Sequence, residues 1–301
     1  MTASDAALIS VWGQYEVRRY DKGNSHKYEL AYKHRDGGFE IMHSGVKSVT
    51  HYLGTYPKPW MKGWVAKTAV TALEEGIEQG VTGAELVSRV KGALWSRNNM
   101  DYGTLAHDVV LKYIMNELAF EDIPDQFAEA CEMMSEFLRE NELEAISTEQ
   151  AVMTSGYADA DQDTMIGGTF DLLVRDSEGR HGVLDLKFTS GVHPEHIAQS
   201  VFYAQAYRDM HIMSGGGYLS RSGDDPETPF CGVVRFPTPT NDGVFEAVIF
   251  DEENDIALMD EYQRWEKLLR TCVTMDNGSR EVAGELNAIL LGERNKEEEI
   301  D

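Results

Sequence analysis

What the 301-residue sequence has little of is informative first. It holds three cysteines, Cys131, Cys231 and Cys272, far apart and odd in number. That pattern excludes a disulfide framework and a CxxC-type metal site, and predicts reduced core residues. No run reaches the roughly eighteen uncharged apolar residues that a membrane helix needs. The opening "MTASDAALISVW" lacks the basic and apolar regions of a signal peptide. A cytoplasmic location with no membrane partner is therefore expected. Internal repeats and long linkers are absent, and an apolar content of 42% supports a real core.

Positive charge is also scarce, at 27 Lys+Arg against 52 Asp+Glu, a net charge of −25. Such a chain does not wrap nucleic acid by bulk attraction. The deficit is uneven, because residues 1–100 carry a net +3 and residues 101–301 a net −28. An anionic partner is expected against the N-terminal third, near Lys58, Lys62, Lys67, Arg89, Lys91 and Arg97. Scattered solvating charge is the other reading of those residues. The final "ERNKEEEID" reads as a solvated acidic tail.

Between Tyr15 and Val49, aromatic and β-branched residues broken by glycines predict short strands joined by a hairpin. Helical spacing follows in "PWMKGWVAKTAVTALEEGI", in "TGAELVSRVKGAL" with Thr82 and Glu85 at capping-box positions, in "GTLAHDVVLKYIMNELAF" and in "DQFAEACEMMSEFLREN". In the last of these, Phe127, Cys131, Met134 and Leu138 form a core stripe. After residue 145 the period changes to two, and "EQAVMTSGYADA", "TMIGGTFDLLVRD" and "RHGVLDLKF" read as strands. A helix is expected from Pro194 to about Met213, closed by "SGGG". "FCGVVRF" and "VFEAVIF" form a strand pair around "TNDG", and a last helix spans about Asn254 to Cys272. The expected architecture is one α/β domain, a mixed central sheet flanked by helices, with an N-terminal helical portion folded onto it. Its boundaries are a β-hairpin region at 1–44, the main domain at 45–275, and a C-terminal helix and acidic tail at 276–301.

"GVLDLKFTSG" places an acid and a base in a strand. If "DSEGR" is a hairpin loop with Asp176 facing Arg180, then Asp171 faces Asp185 on the neighbouring strand. Lys187, two residues on, joins that face. Like charges set opposite each other are destabilising unless neutralised, and a divalent cation does this directly. Two aspartates and a backbone carbonyl suit Mg²⁺ or Mn²⁺ rather than zinc. The same residues also read as a surface salt bridge. Apolar flanks, His107 in "GTLAHDVV" and a Gln199, Tyr203, Tyr207 stripe on the following helix favour a site.

In order, "GTLAH", "GGTFD", "LDLK" and "QSVFY" resemble the motif series of the RecB-like branch of the PD-(D/E)xK nuclease superfamily, the group that includes lambda exonuclease. "SGVKSVTHYLGTYPKPWMKGWVAKTAV" is similar to the first segment of phage-encoded RecB-like exonucleases. The resemblance spans roughly residues 45 to 210. It implies a restriction-endonuclease-like fold in which His107, Asp171, Asp185 and the Leu186 carbonyl bind metal. Lys187 would orient or activate the attacking water, and Gln199 and Tyr203 would support the site or touch DNA. Glu149 occupies a position where relatives often carry an acid. Iron–sulfur members use four cysteines, one early and three clustered late, so the three dispersed ones here imply no iron–sulfur cluster. The implied activity is a DNA exonuclease using Mg²⁺, with Mn²⁺ as substitute. It would act on linear DNA in phage recombination or replication, alongside a recombinase or single-strand-binding protein. A structure-specific or single-strand endonuclease, and a non-cleaving DNA- or protein-binding member of the fold, remain the alternatives.

Overall fold

The computed structural model describes residues 6–22, 25–55, 59–94, 98–155, 164–215, 229–238, 244–250, 263–264 and 266–273. The "TNDG" turn, the start of the last expected helix and everything from 274 onward lie outside them. Residues 263–264 and 266–273 are helical, with Leu268, Leu269, Cys272 and Val273 buried.

The chain divides into two compact units, Tyr56–Ala106 and the remainder. This differs from the expectation of one domain spanning 45–275. In the smaller unit, α2 (Pro59–Glu78) and α3 (Gly83–Leu94) pack on each other. A Cβ on Gly76 would sit 2.3 Å from Leu86 Cδ1, so that glycine permits the close approach. The third helix, α4 (Asn98–Ile114), begins earlier than its motif suggests and ends six residues short of Phe120. Asn116 stops it in the left-handed conformation (φ 59), with the Glu117 N–H bonded to the Lys112 carbonyl and the Asn116 N–H to that of Tyr113.

The larger unit is α/β, built on two sheets. β1 (Leu8–Trp12), β2 (Tyr15–Lys22), β3 (Ser25–Lys33) and β4 (Phe39–Lys47) form an antiparallel sheet in sequence order. The expected hairpin is thus half of a four-stranded sheet, and it runs past residue 44. A short helix, α1 (Val49–Leu53), follows, its N-terminus capped by the Ser48 hydroxyl. After α5 (Asp125–Glu140) comes the mixed five-stranded sheet β5 (Glu144–Thr154), β6 (Ile166–Arg175), β7 (His181–Lys187), β8 (Phe230–Arg235) and β9 (Glu246–Phe250), again in sequence order. Phe127, Cys131, Met134 and Leu138 of α5 are buried as expected.

Among the strands described, β7 and β8 are the parallel pair, and α6 (Pro194–Met213) lies between them in sequence, with Pro194 opening it and Gly215 (φ +72) just past its end. α6 packs across β5, β7 and β8 and also touches α1 and β1. The core lies here, where Phe170, Leu172, Leu184, Phe202 and Met210 are fully buried. None of the three cysteines is in a disulfide and all three are buried, as expected.

Candidate active site

β6 and β7 pair from Arg175↔His181 to Leu172↔Leu184, the register that the "DSEGR" loop predicts. Asp176 and Arg180 close the loop, the Asp176 N–H donating to the Arg180 carbonyl at 3.0 Å. The next positions along the strands are Asp171 and Asp185. There the ladder gives way to a side-chain bond, in which Asp171 Oδ2 accepts the Leu186 N–H at 2.7 Å. The other oxygen of Asp171 is held by His107 of α4, whose Nε2 lies 2.9 Å from Oδ1. Asp171 is therefore fixed from two sides.

Asp185 is 1% exposed, and Lys187 Nζ lies 2.5 Å from its Oδ2. Asp185 Oδ2 is buried, and the Lys187 ammonium is the group set against it. Burial, reinforced by the charge of Asp171, pushes the Asp185 carboxyl up to about 7 against the opposing pull of Lys187. For Asp171 burial acts in the same direction, but the charge and hydrogen bond of His107, then Lys187 and the Leu186 N–H, outweigh it and hold the carboxyl below its ordinary value. Burial works to lower both His107 and Lys187. The charge of Asp171 on the imidazole, and those of Asp185 and Asp171 on the ammonium, reverse this and raise both.

Gln199 and Tyr203 of α6 come to the same cleft, joined by a 2.6 Å bond from Gln199 Nε2 to the Tyr203 hydroxyl. Burial and then the neighbouring Asp185 charge raise the Tyr203 phenol well above its ordinary value. Tyr207, the third member of the expected stripe, is turned elsewhere. Its hydroxyl meets His181 Nδ1 at 2.6 Å, and its ring packs edge-on to Trp12. Glu149 is exposed on β5 between Thr148 and Gln150, which pair with Leu172 and Phe170, and its charge reaches His107. It holds a left-handed backbone (φ 49), unusual for such a residue in a strand.

Two carboxylates, Asp171 and Asp185, are hard oxygen donors of the kind a divalent cation takes, and the His107 imidazole lies against one of them. As the side chains stand, each acid is taken by a neighbouring cation. Among the described residues, no three His, Cys, Asp or Glu side chains converge to hold a metal ion. Seating one requires Lys187 and His107 to release their carboxylates.

The cleft has a volume of about 180 Å³, and its far wall comes from the N-terminal sheet and α1: Arg19, His26, Tyr28, Ser48, Val49 and Thr50. These residues are absent from the sequence expectation, since nothing in "EVRRYDKGNSHKYEL" announces a site more than a hundred positions from Asp171. The only available signal was the locally positive charge of the first hundred residues. Lys67 and Lys91 are exposed on α2 and α3, and Arg89 bonds Gln79 at 2.6 Å. Lys58, Arg97 and the side chain of Lys62 lie outside the described residues.

No protein-family model matches the chain, and no curated protein does. Sixteen chains of solved structures match. One is the crystal structure of SSO0001, 12% identical over 58% of this chain and 76% of that one, with a TM-score of 0.26. A likeness that slight carries no argument about fold or site. Among the described residues, no helix is long and apolar enough to cross a membrane.

Proposed function

We propose that the chain is a metal-dependent deoxyribonuclease of the RecB-like PD-(D/E)xK kind that degrades linear DNA from its ends, in the cytoplasm of a phage-infected host. The observation that carries this reading is the cluster of Asp171, Asp185 and Lys187 in one cleft, with His107 bonded to Asp171. Two acids facing each other in a sheet do not serve stability, because packed apolar side chains of similar volume would do at least as well. Buried, charge-coupled groups opening onto a cleft are the mark of chemistry.

A bound Mg²⁺ or Mn²⁺ would make a water nucleophilic near neutral pH and offset charge on the phosphate. The chain's own residues supply the rest. Asp171, held through its other oxygen by the Leu186 N–H, keeps its orientation when His107 releases it. Asp185 and Asp171 keep Lys187 protonated, and once it releases Asp185 its ammonium would be available to the phosphate's nonbridging oxygen or the attacking water. Tyr203, tied to Gln199, closes one wall and excludes water. The cleft is smaller than the roughly 300 Å³ of pockets that enclose whole small molecules. It suits one group of a larger substrate, which fits a polymer better than a free metabolite.

The test is incubation of the purified protein with end-labelled linear and closed-circular DNA in Mg²⁺, Mn²⁺ or EDTA. Metal-dependent loss of the linear substrate alone is expected. Cleavage of circles would replace the exonuclease reading with an endonuclease, and metal-dependent binding without any product would favour a non-cleaving DNA-binding protein.

A further inference from the structure

The far wall of the cleft carries groups that the hydrolytic cluster does not use. Among the described residues that line the cleft, Arg19 on β2 supplies a guanidinium that is engaged with neither Asp171 nor Asp185. Its bonds are loose: 3.4 Å to Thr169 Oγ1 and 3.4 Å to Asp21 Oδ2. Its Nε is buried without a hydrogen bond, the nearest acceptor being an ionic contact with Asp21 at 3.2 Å. His26 lines the same wall and shares Asp21, its Nδ1 lying 2.7 Å from Oδ1. Three hydroxyls stand alongside. Ser48 and Thr50 are 2.8 Å apart, and Thr169 Oγ1 is also 3.1 Å from the Tyr28 hydroxyl.

A cleft-lining guanidinium whose terminal N–H groups make only long contacts to Thr169 and Asp21, beside an imidazole and hydroxyls, is an anion seat in which a phosphate takes those N–H groups in place of the long contacts, its oxygens matching the planar fork in pairs. The opposite wall explains why one is needed. Asp171 and Asp185 repel a phosphodiester, and Lys187 and His107 are committed to those acids. We propose that Arg19, supported by His26, Ser48, Thr50 and Thr169, binds a phosphate group of the DNA strand next to the one being cleaved. The N-terminal sheet then acts as a substrate clamp. This rests on the nuclease reading for its ligand, but it concerns binding rather than hydrolysis.

The test is fluorescence anisotropy with a labelled oligonucleotide in EDTA, so that nothing is cut. The probes are a series in which one phosphate at a time is replaced by a neutral methylphosphonate, and a pair carrying a 5′-phosphate or a 5′-hydroxyl. Arg19→Ala is expected to weaken binding of the unmodified strand by roughly tenfold. It should lower the salt slope by about one phosphate contact. One substituted position should weaken the wild type and leave Arg19→Ala unaffected. If that position is the strand's end, the seat takes a terminal phosphate; if it is internal, a phosphodiester. Arg139→Ala, a change on the exposed surface of α5, should bind like the wild type. Arg19→Lys should recover part of the affinity, guarding against a folding defect. Equal binding by wild type and Arg19→Ala, or a wild type indifferent to every methylphosphonate, would overturn the proposal. Normal binding effects with no cleavage in Mg²⁺ would leave the seat standing and sink the nuclease reading alone.

Discussion

Gly167 and Gly168 stand back to back in β6 and admit a ring on each face. A Cβ on Gly167 would lie 2.4 Å from Tyr28 Cγ, and one on Gly168 would lie 2.5 Å from Tyr203 Cε1 and 2.8 Å from Phe202 Cε1. Gly168→Ala therefore has to displace a buried ring that walls the cleft. A loss of about 1–3 kcal/mol in stability is expected, with a fall in DNA cleavage. Urea denaturation and a cleavage assay check this, and an unaltered variant would show that Tyr203 can shift freely. His181 offers a second residue-level test. Burial, then the charges of His211 and Arg175, lower its imidazole below the ordinary 6.5. On acidification the unfolded chain thus takes up this proton before the folded one does. The stability gained from a neutral His181 is complete above about 6.5 and drains away as pH falls toward the folded value. Between pH 7 and pH 5 the wild type should lose more Tm than His181→Asn; parallel losses would remove His181 as the cause. At this scale the sequence was legible where chemistry and register coincide. Asp171, Asp185 and Lys187 follow from counting across one hairpin. Arg19 does not, because its approach to Thr169 depends on how one sheet lies against another.

At the scale of elements, β5 is an edge strand of the five-stranded sheet, and its open side is managed by side chains from β1. The Ala151 N–H donates to the Ser10 hydroxyl at 2.7 Å, and the Ala151 carbonyl accepts from Trp12 Nε1 at 2.9 Å. Both bonds are buried, so they substitute for a sixth strand's ladder and deny the edge to another chain. Ser10→Ala leaves the Ala151 N–H without an acceptor and should cost about 1–3 kcal/mol. Equilibrium unfolding measures it, and no change in the midpoint would mean that water reaches the site. Most elements could be read from periodicity: α5, α6 and β6 to β9 fall where the alternation and the Pro194 signal put them. Helix ends were harder to place where no glycine marks the stop. Asn116 ends α4, and Glu142 (φ 52) follows α5 with the Leu143 N–H bonded to the Leu138 carbonyl. Neither residue announces a left-handed turn as Gly80 does after α2.

Over the whole molecule, a net charge of −25 would confront a polyanion if the proposed DNA substrate is correct. On that reading bulk attraction is replaced by local cations, Arg19 on one wall of the cleft and, once it has released Asp185, Lys187 on the other, with a metal to offset the acids between them. Separation of Tyr56–Ala106 as its own unit was not legible, since its helices have the same periodicity as core helices and only their contacts distinguish them. The measurement that bears most directly on the proposed activity compares wild type with Asp185→Asn on end-labelled linear DNA in Mg²⁺, with Tm recorded for both proteins. The substitution keeps the side chain's shape and removes its charge. A fall in rate of about a hundredfold or more in a protein that still melts cooperatively is expected. Equal rates in the two proteins would contradict a catalytic role for this cleft.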